Sequence, residues 1–182
     1  MASRTVVVIA AGQLQQAQSA DTAVVPGLFQ PATVAGIKGT TAADSAQAGS
    51  IGEVITATVA TGSSISLTSV TSANVTSISL TAGDWDVWGA VAFTLASTTT
   101  MGYLSGGINT TSATLPLNNA GVGTIPGAGT NATTDVTVDP VVAVMPVRIN
   151  VSSTTTVYLV ARAKFGTSTC KGYGTIYARR RR

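Results

Sequence analysis

The chain has 182 residues, enough for one domain with a sizeable core and an appended arm. Its hydrophobic fraction of 45% is ordinary, but only 9% of residues are charged and none is histidine, which argues against proton-moving catalysis near neutral pH and for a protein that folds, associates and persists. The formal charge of +3 comes from the last four residues, Arg179 to Arg182; without them six basic residues face seven acidic ones, which offers no basic face for nucleic acid and no acidic face for cations.

Thr5 to Ala10 alternates β-branched residues and predicts a first strand. The apolar run that contains it is too short to span a membrane or serve as a secretory leader, and reads as part of a soluble intracellular product. From Gly12 to Ser50 the pattern dissolves into Gln, Ala, Gly and Pro, with Pro26 and Pro31 flanking Gly27-Leu28-Phe29-Gln30. This stretch predicts an extended arm that needs a partner surface, with a short helical turn over Leu14 to Ser19.

From Ile51 onward the period is two. Ile51, Glu53, Ile55, Ala57 and Val59 share one face. Two near-copies, Ser64 to Thr68 and Ser77 to Thr81, are expected as adjacent strands joined by a turn over Thr71 to Asn74. After a turn at Ala82-Gly83-Asp84, Trp85, Val87, Gly89, Val91, Phe93 and Leu95 line one side of the most strongly patterned strand. Met101 to Thr110 is a further strand, and Ser112 to Thr134 a long Gly- and Pro-rich loop. Val141, Ala143, Met145, Val147, Ile149 and Val151 alternate as one face, and Pro146 among them argues for an edge strand or a bulge. Val157 to Phe165 is another strand, and Thr169 to Arg179 places Tyr173, Thr175 and Tyr177 on one side of the last. Eight or more short strands without a convincing helix make an all-β protein, a sandwich or jelly roll.

Two segments carry a resemblance. Ile51-Gly52-Glu53 through Thr81-Ala82-Gly83-Asp84-Trp85-Asp86-Val87, and Thr154 to Arg162 followed by Gly174 to Arg180, resemble blocks in virion proteins of tailed bacteriophages and prophages. The layout is also similar to the C1q/TNF-like jelly roll, which forms compact homotrimers. The opening, Arg4 to Ile9 with Gly12 to Gln16 and Asp21-Thr22, resembles an attachment segment of phage appendage and decoration proteins, although Ala17 to Ala20 replace its small turn.

The resemblance implies a homotrimeric jelly-roll β-sandwich over residues 49–182 and a virion-attachment arm over residues 1–48. Arg4, Val6, Val8, Leu14, Asp21, Leu28 and Phe29 are the arm's expected contacts with other virion proteins of the tail or capsid. A short tail fibre or spike meeting the host surface is the first role, with a host-surface glycan as a further partner. A head fibre or capsid decoration protein is the alternative. A free carbohydrate-binding module of lectin type is the rival from another class, but it leaves the arm without a purpose. The implied location is the virion, assembled in the host cytoplasm, with no membrane insertion and no cofactor.

Candidate chemistry is sparse. Asp84 and Asp86 lie about 7 Å apart on one strand face and could hold a metal or sugar, but with no third ligand they are expected as a solvated turn and strand edge. Trp85 belongs to the apolar stripe. Trp88 points the other way and, with Tyr173 and Tyr177, is the expected intersubunit or receptor contact. Gly121-Val122-Gly123 lacks the Lys-Ser/Thr pair of a phosphate loop. The sequons at Asn74, Asn109, Asn131 and Asn150 are expected by chance in a chain rich in Ser and Thr. Cys170 is expected as a small buried or interfacial residue. Arg179 to Arg182 is expected as a solvated end or a protein contact, ahead of DNA.

Overall fold

The computed structural model describes residues 7–10, 13–16, 42–116, 121–126 and 139–182. The chain divides into two units, Met1–Ala43 and Asp44–Arg182. In the first, strands β1 (Val7–Ala10) and β2 (Gln13–Gln16) pair antiparallel, with Val8 opposite Gln15 and Ile9 opposite Leu14. Leu14 therefore belongs to a strand and not to a helical turn. Pairing with Val7–Ala10 takes up the backbone groups of Gln13–Gln16 that a helix start would use.

The second unit is an all-β sandwich of two antiparallel sheets. Its strands are β3 (Val54–Val59), β4 (Ile65–Ser66), β5 (Ser72–Leu80), β6 (Gly83–Leu95), β7 (Thr100–Asn109), β8 (Val122–Pro126), β9 (Val141–Val151), β10 (Thr155–Gly166) and β11 (Cys170–Arg180). One sheet has the order β3-β11-β6-β9, with β4 beside β11; the other has the order β5-β10-β7-β8. Apart from β4 the pairing is nested: β3 with β11, β5 with β10, β6 with β9 and β7 with β8. The only helical element among the described residues is a 3-10 turn at Thr61–Ser63.

The period-two pattern sets which side of each strand is buried. Trp85, Val87, Val91 and Phe93 of β6 are fully buried, facing Leu80, Leu104, Val157, Leu159 and Ile176 from both sheets. Each such side chain contributes roughly 1.5–3 kcal/mol by leaving water. On β3, Ile55, Ala57 and Val59 pack against this core while Val54, Thr56 and Thr58 stay exposed.

Three sequence expectations are corrected. The near-copies Ser64 to Thr68 and Ser77 to Thr81 are not adjacent, because β4 pairs with β11 in one sheet and β5 with β10 in the other. Similar local sequence sets strand propensity, not partner choice. The loop expected over Ser112 to Thr134 contains β8, which pairs with β7. Glycine at position 123 lets β8 approach β9, since a Cβ there would overlap the Ala143 carbonyl.

The third correction concerns β9. Val142 and Val144 face the core, and beyond Pro146 so do Val147, Ile149 and Val151, whereas Val141, Ala143 and Met145 are exposed. The register jumps from Gly89 opposite Val144 to Val87 opposite Val147, so Met145 and Pro146 together face Trp88. This bulge inserts one residue and reverses the alternation. Pro146 thus lies both in a bulge and on the edge strand of its sheet.

Candidate interaction face

The outer side of the β3-β11-β6-β9 sheet carries the residues singled out in the sequence. Register places Trp88 of β6 directly opposite Tyr177 of β11, Ala90 opposite Thr175, and Ala92 opposite Tyr173. The Trp88 and Tyr177 rings stack with centroids 5.7 Å apart and planes 13° from parallel. Thr56 of β3 lies beyond Tyr177, and the Met145–Pro146 bulge lies beyond Trp88. Across this middle band stand Thr56, Tyr177, Trp88 and Met145, with no charge among them. Tyr177 is 38% exposed, Met145 61% and Val141 56%. Trp88 is half-buried and walls a shallow depression of about 390 Å³ with Asp86, Pro146 and Arg179.

Tyr173 lies on the same face about 13 Å from Tyr177 by strand rise. Its hydroxyl donates to Asp139 Oδ2 at 2.7 Å, and Thr94 Oγ1 donates to the same oxygen at 3.0 Å. The bond to carboxylate holds the Tyr173 phenol above its usual range. The structure therefore brings Trp88 and Tyr177 together and places Tyr173 in a separate polar bracket. Val8 and Leu14 lie on the β1-β2 hairpin. Arg4, Val6, Asp21, Leu28 and Phe29, with the rest of the expected arm from Ala17 to Thr41, lie outside the described residues.

Charge collects at one end of this face, and here the sequence reading is corrected twice. Asp84 is buried, not solvated: Arg148 donates to it in a two-pronged fork, Nε to Oδ1 at 2.7 Å and Nη2 to Oδ2 at 2.8 Å, and Arg182 adds a contact at 3.2 Å. The Arg148 guanidinium holds the Asp84 carboxyl below the usual carboxylate range. Asp86 pairs with Arg181 at 3.4 Å.

Nor is the whole arginine tail a solvated end: Arg179, Arg181 and Arg182 are exposed, but Arg180 is not. Arg180 is buried, its guanidinium 4.2 Å from the Trp85 ring centre, donating Nε to Glu53 Oε2 at 2.8 Å and Nη1 to the Ala82 carbonyl at 2.9 Å. Glu53 also accepts from the Gly49 amide, and its carboxyl is held low chiefly by Arg180. Inside-outside alternation along β11 sends Arg180 to the core side between two outward arginines. Four identical letters hid that difference.

Asn74 and Asn109 have structural uses that their sequons did not suggest. Asn74 donates to Ser112 Oγ and accepts from the Ala113 amide; Asn109 accepts from the Thr111 amide and donates to the Thr114 carbonyl. Among the described residues no three His, Cys, Asp or Glu side chains could share a metal ion. No helix among them is long and apolar enough to cross a membrane. In comparisons with protein-family models, curated proteins and solved structures, none matched the chain.

Proposed function

We propose that this chain is a non-enzymatic bacteriophage virion protein: a short trimeric fibre or spike, held on the particle by its N-terminal segment and meeting the host surface through the sandwich. The observation that carries this reading is the uncharged outer band around Trp88, Tyr177 and Met145. A flat sheet face with exposed aromatic and aliphatic side chains suits self-association better than lasting exposure as a monomer. Nested pairing of the first strand with the last, and so on inward, is the order expected of a jelly roll, which supports that finer description of the sandwich. The acids also suit a structural role, since Glu53, Asp84, Asp86 and Asp139 are each engaged by an arginine or by hydroxyl groups.

Light scattering on the purified protein tests the assembly: the expected mass is three times the 18.2 kDa chain. A monomer at micromolar concentration overturns the trimer. Removal of residues 1–48 is expected to leave a folded oligomer that no longer joins particles. Continued incorporation of the shortened protein overturns the attachment role.

A further inference from the structure

We propose a second interaction site, on the outer side of the β5-β10-β7-β8 sheet: an open depression that binds an acidic saccharide, one bearing carboxylate or phosphate groups, through Arg162 in its lining and Lys164 on the strand beside it. It lies on a single chain, so its test does not depend on the trimer.

The first support is how charge is distributed. Near-neutrality of the body as a whole conceals an uneven distribution of acids between the two sheets. Among the described residues of the second unit, Glu53, Asp84, Asp86 and Asp139 all associate with the β3-β11-β6-β9 sheet, and Asp44 lies in the segment that enters it. Arg162 and Lys164 are two residues apart on β10, which puts them on one strand face about 7 Å from each other. Neither forms an ion pair among the described residues. Two like charges side by side with no counter-charge among the described residues suit a site whose partner supplies the negative charge.

The second support is that Arg162 is already oriented. Its Nε donates to the Val70 carbonyl at 3.0 Å, and its guanidinium carbon lies 5.9 Å from the Tyr103 ring centre. Val70 presents that carbonyl from a backbone φ of +65°, a conformation costly for a β-branched residue. Its amide in turn donates to the Ala163 carbonyl at 2.7 Å, which fixes the strained residue against β10. With Nε committed, the Nη groups make no hydrogen bond among the described residues and form the planar donor edge that carboxylate and phosphate recognise.

The third support is the shape of the surface. Arg162 lines an open depression of about 420 Å³ together with Ser72, Thr114, Leu115 and Pro116. Its wall is the Thr111–Pro116 segment, pinned to the sheet by Asn74 and Asn109 through the hydrogen bonds described above. That volume falls in the range of small-ligand sites. Ser72 and Thr114 bring hydroxyls, and Leu115 and Pro116 bring apolar surface, to one lining that suits a sugar ring, which offers both hydroxyl groups and an apolar C–H face. Two cations form a point of charge and not the extended basic track that nucleic acid requires.

The test measures binding of the full-length protein by calorimetry to three oligosaccharide probes of matched length: polygalacturonate, phosphomannan and neutral dextran. Duplex DNA is a fourth probe. Saturable binding to polygalacturonate or phosphomannan but not dextran is expected, and the comparison of the two says which acid group is read. Arg162→Lys and Lys164→Gln should each weaken binding about tenfold or more, the loss typical of one charge-assisted hydrogen bond. Lys171→Gln, a change of exposed charge on the other sheet, should leave it unaltered. Failure to bind any acidic saccharide overturns the site. So does equal affinity for DNA, or equal weakening by Lys171→Gln, either of which assigns the binding to general charge attraction.

Discussion

Trp88 and Tyr177 form a stacked pair on the exposed side of their sheet, whereas Trp85, three residues earlier on the same strand, has no exposed surface at all. The odd spacing puts the two tryptophans on opposite sides of β6, so they respond to different forces. Trp88→Ala removes an outward stack worth about 0.5–1.5 kcal/mol and is expected to leave the fold intact by circular dichroism. If the band is the association surface, the same change weakens assembly by about 2 kcal/mol or more, read as a shift toward smaller species on size-exclusion chromatography. Trp85→Ala leaves a core cavity and should cost about 3–5 kcal/mol of stability in chemical denaturation. The reverse pattern would overturn this assignment of the two sides of β6.

Arg180 ties three parts of the sandwich together. It pairs with Glu53 ahead of β3, bonds the carbonyl of Ala82 between β5 and β6, and covers Trp85. Arg180→Met leaves the Glu53 carboxylate buried without its partner, and the expected loss is about 3–5 kcal/mol. A double variant that adds Glu53→Gln removes the stranded charge and should recover part of that loss. If the double variant is no more stable than Arg180→Met, the penalty comes from lost packing on Trp85 and not from the charge.

The same carboxylates set the acid limit of the fold. Glu53 is held below its ordinary value of 4.5 by the hydrogen bond from Arg180, and Asp84 below its ordinary value of 3.8 by that from Arg148. A depressed folded-state value means that the unfolded chain takes up protons first as pH falls. The stabilisation is therefore fully present above these ordinary values and is lost as pH drops through the lower folded ones. Denaturation midpoints should be flat from neutral pH to about 5 and then fall. Asp84→Asn should flatten the acid limb, and an unchanged limb would exclude the Arg148 pair as its source.

Much of the sandwich was legible because its strands are buried on one side only. Period two on β6, β10 and β11 identified the inward residues, and the outward positions of Trp88, Tyr173 and Tyr177 followed from the same parity. Sheet membership was not legible, because β4 and β5 have similar local sequences and the chain crosses between sheets at every connection except β3 to β4 and β7 to β8. The Met145–Pro146 bulge was signalled by its proline, but not the change of face beyond it. Asp84, Arg180 and the Arg162–Lys164 pair were missed for a shared reason. Their surroundings are made by residues 64 to 127 positions away in the chain, or by the absence of an acid among the described residues of one sheet, and no local pattern reports either.

Cys170 gives a test of how firmly the start of β11 is held. It is 1% exposed, pairs with Leu95 of β6, and its carbonyl accepts from the Leu67 amide. Burial pushes the thiol up to about 11, so almost none is thiolate at neutral pH, and no histidine in the chain could activate it. A thiol-specific reagent should therefore react with the native protein far more slowly than with the unfolded chain. The residual native rate reports opening of this strand end, and it should rise with low concentrations of denaturant as local unfolding becomes easier. On a non-reducing gel the native oligomer should run as single chains, because the only thiol is inside each sandwich. Rapid native labelling, or disulfide-linked dimers formed without denaturant, would place Cys170 at an open or intersubunit position instead of in the core.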